Sequence, residues 1–242
     1  KAYDLLIQAE SGLCSVTGIE DQLTRVGVSV SDIAAGMNAY QEILLALYRR
    51  EKDPQKKGED ISVSLFHSST DWMNVPYLQY IYGGKMPKNL GLEHPTIAPY
   101  GSFTTLENKQ ILISVQNQRE WERFCDRVLN RPRLKEHKLF LNNPDRVKNR
   151  ADLNQIIDGI FSCTREKELI ERLNEAGIAF GKINDVAALR NHPQAKFRRV
   201  QTKKGQVTML GRGAKKESST EKMLRIPDLN EHGEKIRAEF SS

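Results

Sequence analysis

Gly27-Val28-Ser29-Val30-Ser31-Asp32 is a small-residue, β-prone segment that runs straight into an apolar-periodic stretch, which places Asp32 at or next to a helix N-terminus. Unpaired backbone N–H groups and the helix macrodipole stabilise an anion there by up to about 1 kcal/mol, keeping the carboxylate ionised. Gly27 and Gly36 leave room beside it for a ligand. Such a carboxylate can serve as a nucleophile, stand beside an anion site, or simply cap the helix, a common use of aspartate at this position. The local pattern leaves all three open.

Few other residues offer competing chemistry. His67, His94, His137, His192 and His232 are dispersed without a ligand-pair spacing. Cys14, Cys125 and Cys163 are far apart, odd in number and without C-x-x-C, which predicts buried free thiols and no metal site. The net charge of +6 and pI near 9.2 suit nucleic acid, an anionic small molecule or a solvated basic surface. Basic residues cluster at Lys196, Arg198, Arg199, Lys203, Lys204, Arg212, Lys215 and Lys216, but only Phe197 interleaves as an aromatic, so no nucleic-acid partner is expected. No apolar run approaches the roughly 18–20 residues that span a bilayer, and no signal-peptide order opens the chain. No membrane partner and a cytoplasmic location are therefore expected.

The elements that must position Asp32 follow from periodicity. A helix is predicted from Asp32 to Arg50, capped by Ser31 or Asp32, with Ile33, Met37, Tyr40, Leu44 and Leu47 on a core face. A charged turn at Asp53–Gly58 leads to an alternating strand, Ile61–Leu65, and a helix over Ser68–Tyr82. Gly83–Pro99 is a long loop rich in glycine and proline, of the kind that serves function or connects domains. Beyond it, Gly101–Thr105 and Ile111–Val115 read as a hairpin. Helices are predicted over Gln118–Asn130, with Trp121, Phe124, Cys125, Val128 and Leu129 buried, and over Val147–Phe161, with Leu153, Ile156, Ile157 and Ile160 inward. A third is opened by Thr164 as cap and stopped by Gly177, after which 178–183 forms a strand. Asn191–Lys216 shows little periodicity beyond a short strand at Val207–Leu210, and a short polar helix ends the chain.

Longer strings add a resemblance. Val26 to Met37, the helix end Leu47 to Lys52, Gly58 and Ile61 to Leu65, together with Tyr3 to Ala9 and Ser11-Gly12, Gly91 to Gly101, and Glu120 to Cys125, closely resemble family III coenzyme A transferases in order and spacing. The resemblance runs the length of the chain. It begins about one third of the way into such a protein, and the chain, entering at Lys1 directly onto an apolar stretch, reads as a start in mid-domain, the C-terminal two-thirds of the whole. The implied fold class is α/β: the remainder of a Rossmann-like large domain plus a smaller α+β domain, joined by long linkers in the family's interlocked dimer. The expected division is 1–82 for the large-domain half, 83–99 for a linker, 100–190 for the small α/β domain, and 191–242 for a return linker and C-terminal segment packing on the large domain.

The resemblance makes Asp32 the catalytic nucleophile, exchanging CoA between an acyl-CoA thioester and a carboxylic acid through an aspartyl mixed anhydride and an aspartyl-CoA thioester. Lys1 and Tyr3 match positions lining the CoA channel, though Lys1 also reads as a solvated end and Tyr3 as core. Gly83, Gly84 and the loop through His94 to Tyr100 match the linker, where a glycine segment can close over the acyl group. His94 there reads as a hydrogen-bonding residue of the loop rather than an acid or base. No permanently bound cofactor is implied, coenzyme A being a substrate; the partners implied are acyl-CoA, a small carboxylic acid such as succinate, and a second copy in a homodimer. Arg25, Lys85, Lys88 and Arg119 can supply charge for a second carboxylate. Two alternatives remain. A racemase of the α-methylacyl-CoA kind needs a second acid after Leu112–Val115, where the sequence reads Gln116-Asn117-Gln118 with no acid until Glu120. A non-catalytic CoA- or nucleic-acid-binding module is the other.

Overall fold

The structure, a computed structural model, describes residues 1–20, 22–211, 213–214 and 224–241. The chain forms two compact units, Lys1–Lys182 and Ile183–Ser242. Both mix helices with small sheets, an α/β composition throughout.

The first unit opens with α1 (Asp4–Glu10), a short hairpin of β1 (Gly18–Ile19) and β2 (Gln22–Leu23), and then α2 (Val30–Lys52). The cap of α2 is Ser29, not Ser31 or Asp32, and its side chain makes no capping bond. The backbone is already helical at Val30, which puts Ser31 and Asp32 in the first turn. The face of α2 that packs inward is also not the predicted one. Val30, Ser31 and Ala34 are buried, whereas Ile33, Met37, Tyr40, Leu44 and Leu47 are exposed. Small side chains allow α2 to approach α1 and α3 closely, and the large apolar stripe points away from them.

Ile61–Ser64 pairs with no strand among the described residues, so the predicted strand is not formed; without a neighbouring strand its N–H and C=O groups have no ladder to join. Leu65 instead starts α3 (Leu65–Trp72), whose cap Ser64 accepts from the His67 N–H. The helix predicted over Ser68–Tyr82 is two, α3 and α4 (Asn74–Gly83), broken at Met73. Pro76 explains the break, since it has no N–H to bond the Trp72 carbonyl.

The hairpin falls where the alternation placed it: β3 (Tyr100–Thr104) pairs antiparallel with β4 (Gln110–Ser114). After β4 come α5 (Gln118–Arg123), which widens into a π-turn over Phe124–Val128, and α6 (Asn143–Lys148). Next are α7 (Arg150–Phe161), α8 (Glu166–Ala176) and β5 (Ala179–Lys182), which pairs antiparallel with β4. Asn149 interrupts the single helix expected over Val147–Phe161. Thr164 does not cap α8; its hydroxyl donates back to the Ile160 carbonyl at 2.7 Å, and the Glu107 carboxylate accepts from the Glu166 N–H instead. Gly177 ends α8 in the left-handed conformation, φ 62°.

The core of this unit lies under that sheet. Phe103, Ile111, Ile113, Trp121, Phe124, Leu153, Ile157, Phe161, Leu169 and Leu173 are all at most 2% exposed. Burying each such side chain is worth about 1.5–3 kcal/mol. Of the cysteines expected to be buried, only Cys125 is; Cys14 is half-buried and Cys163 exposed, because Cys163 lies in the turn after α7.

In the second unit α9 (Val186–Arg190) precedes β6 (Phe197–Thr202), which pairs antiparallel with β7 (Gly205–Leu210) and parallel with β8 (Leu224–Arg225); α10 (Gly233–Phe240) follows. β6 was not predicted. Its sequence, Phe-Arg-Arg-Val-Gln-Thr, hides a strand behind two arginines, and Val200 alone among these residues is buried. Arg212, Lys215 and Lys216 of the basic cluster lie outside the described residues.

Candidate active site

Asp32 stands in the first turn of the 23-residue α2, exposed, and its carboxylate has no hydrogen bond or ion pair among the described residues. A Cβ added at Gly27, or at Gly36 one turn further along α2, would meet nothing within 4 Å. The helix supplies a favourable dipole end, while Arg49, Arg50 and Lys52 complement its other end. An accessible carboxylate that is not engaged in a cap or salt bridge keeps its lone pairs available for attack on a carbonyl carbon.

What fixes this turn comes from α1. Asp4 Oδ1 accepts from the Ser31 N–H at 2.8 Å, meeting a donor that Ser29 leaves unmet. Asp4 Oδ2 accepts from Gln8 Nε2 at 2.8 Å, and Gln8 Oε1 accepts from the Val26 N–H at 2.8 Å. From the other side, the Ser69 hydroxyl of α3 donates to Ser31 Oγ at 2.9 Å. Asp4, Gln8, Ser31 and Ser69 are all buried. Of the four, the sequence singles out only Ser31, as a cap candidate; for Asp4 and Gln8 a polar pair four apart, flanking the apolar run Leu5-Leu6-Ile7, was the available signal.

The Asp4–Ser31 bond brings the segment of Lys1 and Tyr3 alongside that of Asp32. Tyr3 is the N-cap residue of α1 and exposed, not core, and Lys1 is exposed. Gly83 is the last residue of α4, and Gly84 caps it with φ 64°. His94 and Tyr100 meet each other, their rings stacked at 5.1 Å. The His94 N–H donates to the Tyr100 carbonyl, and His94 Nδ1 accepts from the Thr96 N–H. Neither shares a hydrogen bond, ion pair or ring contact with Tyr3 or Asp32 among the described residues.

The loop that carries His94 is held at both ends. Gly91 N–H donates to the Gly18 carbonyl, and Glu20 N–H to that of Asn89. Arg150 Nη2 donates to the His94 and Ile97 carbonyls and its Nη1 lies 3.6 Å from Glu93, which also accepts from Asn154 at 2.6 Å. Arg146, 1% exposed, donates to the Ala98 and Phe140 carbonyls and to Gln118 Oε1, with its guanidinium 4.8 Å over the Trp121 ring. Burial holds that guanidinium below its ordinary pKa.

Cavities are found elsewhere among the described residues. One of about 620 Å³ is lined by Ser11, Ser15, His67, Asp71, Tyr77 and Tyr80, another of about 740 Å³ by Ile19, Lys88, Glu93, Ser102 and Gln110. Neither includes Asp32. No group of three or more His, Cys, Asp or Glu able to hold a metal ion occurs among the described residues. Glu120, the first acid after β4, is engaged in capping α5: its carboxylate accepts from the Gln116 N–H at 2.7 Å and from Asn117 Nδ2 at 2.9 Å.

The family described as CoA-transferase family III matches residues 1–233. The chain belongs to that family. Across its whole length it is 32% identical to the acetyl-CoA:oxalate CoA-transferase of Acetobacter aceti, and it spans 62% of that relative. The succinyl-CoA:glutarate CoA-transferase of Mus musculus is 31% identical over 185 residues, 76% of this chain and 42% of the relative. Among solved structures, a CAIB/BAIF family protein from Brucella suis superposes with a TM-score of 0.78 at 29% identity, covering 98% of this chain and 62% of that one. The family III fold assigned from the sequence is thus the observed one, and this chain spans about three-fifths of the relative matched along its full length. No helix among the described residues is long and apolar enough to cross a membrane.

Proposed function

We propose that this chain carries the nucleophile of an acyl-CoA:carboxylate CoA transferase, and that the nucleophile is Asp32. The observation that supports this is the isolation of the Asp32 carboxylate: exposed, unpaired, and held on a helix N-terminus whose capping need is met by Asp4 instead. An Asp32 oxygen attacks the thioester carbonyl of the donor, the C–S bond breaks, and CoA leaves as thiolate, giving a mixed anhydride. The thiolate then attacks the Asp32 carbonyl carbon and releases the donor acid, leaving an aspartyl-CoA thioester. The acceptor carboxylate attacks that thioester, and the expelled thiolate attacks the acceptor carbonyl, which frees the new acyl-CoA and restores the Asp32 carboxylate. Each step replaces a hard exchange between a carboxylate and a thioester by an acyl transfer to or from an activated carbonyl.

The acceptor we propose is a small dicarboxylate. Oxalate and glutarate in the relatives' names support it, and Arg25, Lys85, Lys88 and Arg119 are exposed cations available to a second carboxylate. The working state we propose is a homodimer, supported by the uncovered apolar residues of α2 and α4, among them Tyr40, Leu44, Tyr77 and Ile81. Proton shuttling at an α-carbon is disfavoured, because the carboxylate of Glu120 is committed to the α5 cap.

The whole gene product, incubated with succinyl-CoA and either oxalate or glutarate, tests this by mass spectrometry. A new acyl-CoA that appears only with acceptor supports the transferase. Deuterium exchange at the α-carbon of a branched acyl-CoA without transfer overturns it in favour of racemisation.

A further inference from the structure

Asp4 and Gln8 are the only buried side chains of α1, while its Leu5 and Leu6 are about half exposed, 49% and 53%. Burying an acid and an amide in preference to leucines is costly unless every polar atom is bonded, and here the bonding is continuous. The Gln8 carboxamide accepts from the Val26 N–H on its oxygen and donates a hydrogen bond to Asp4 from its nitrogen, which also lies 3.5 and 3.4 Å from the Val26 and Val28 carbonyls. Asp4 passes the link to the Ser31 N–H, and Ser31 Oγ is met by Ser69. The segment entering α2 and the first turn of α2 are thereby referenced to one rigid pair on α1. Asp32, the next residue, has no side-chain bond of its own, so its placement is inherited from Ser31.

We infer that Asp4 and Gln8 are positioning residues that aim the Asp32 carboxylate, a role that rests on the reading of Asp32 as nucleophile. Polarity makes the inference testable. In Asp4→Asn the new amide N–H₂ faces the Gln8 N–H₂, donor against donor. In Gln8→Glu two carboxylates face each other. In the double variant Asp4→Asn/Gln8→Glu the new amide at position 4 donates to the new carboxylate at position 8, its oxygen still accepts from Ser31, and the carboxylate still accepts from Val26. The bond pattern around Ser31 is restored with the charge moved one helical turn away.

The experiment follows formation of the covalent adduct on Asp32 with succinyl-CoA, per folded protein, together with kcat and KM. Each single variant is expected to slow adduct formation and kcat on the order of 10- to 100-fold while KM for acyl-CoA stays nearly unchanged, since misplacing a reacting group costs rate rather than affinity. The double variant is expected to recover most of that loss. A pair that only holds the fold together would lower the melting temperature but leave the folded fraction reacting at the wild-type rate, and that result overturns the inference. Ser69→Ala loosens the same turn from α3 with a milder change, and serves if a single variant does not fold. Its adduct rate is expected to fall several-fold, and a wild-type rate again overturns the inference. Absence of any adduct in the wild-type protein overturns the nucleophile reading itself, an outcome distinct from unaffected variants of a reactive wild type.

Discussion

Replacing Arg146 with methionine probes how firmly the loop before β3 is fixed. Methionine keeps much of the apolar stem over Trp121 but removes every donor. The Ala98 and Phe140 carbonyls, bonded at 2.8 and 3.2 Å, lose their partner inside the protein, at about 1–2 kcal/mol each. Gln118 is free to turn towards solvent, and loss of the guanidinium over Trp121 removes about 0.5–1 kcal/mol more. Relief of a buried cation, visible in its lowered pKa, offsets part of this. The net expected loss is about 2–4 kcal/mol. The sequence holds two tryptophans, the exposed Trp72 and the fully buried Trp121, so a Trp72→Phe background lets Trp121 emission report urea unfolding of this region alone. The midpoint should fall with the slope unchanged. Arg146→Lys, with a point charge able to satisfy one carbonyl, should lie between the two. A loss below about 1 kcal/mol for Arg146→Met would show that these carbonyls find other donors and would refute the reasoning.

Two further outcomes follow from the same structure. Burial pushes the Cys125 thiol up to about 12, so iodoacetamide at pH 8 should label exposed Cys163 first, Cys14 more slowly, and Cys125 only on unfolding; comparable native labelling of Cys125 would contradict the packing. Glu166 is held below the usual glutamate range by its hydrogen bonds to Lys109 and then Lys182, so its folded pKa is depressed and its contribution is present above the unfolded value and lost as pH falls through the folded one. The stability gap between wild type and Glu166→Gln should therefore be full at pH 7 and close from about pH 4.3 downward, and a gap that persists at lower pH would exclude ionisation as its source.

Local signals were legible where local chemistry decides. The β3–β4 hairpin, the stop at Gly177 and the buried stripe of Trp121, Phe124 and Cys125 each follow from alternation, a left-handed glycine or helical spacing, and all are found. The stripe Ile33, Met37, Tyr40, Leu44 and Leu47 was read correctly as apolar and wrongly as core, because periodicity identifies a face but not what covers it. The strand at Ile61–Leu65 failed for a related reason, since a strand exists only with a neighbour. At the site, Asp32 stood out through its helix start. Its supports did not: Asp4 and Gln8 earn their burial from partners 18 to 27 residues away, Val26 and Ser31, and Ser69 reaches Ser31 across 38. Such long-range polar pairing leaves no periodic trace.

The most direct test of the central claim is peptide mapping of the whole gene product, wild type and Asp32→Ala, after incubation with succinyl-CoA and trapping with hydroxylamine. An adduct on the peptide containing Asp32 in the wild type, and none in the variant, is the predicted result. An adduct that survives Asp32→Ala, or acyl transfer at the wild-type rate by that variant, would contradict the account.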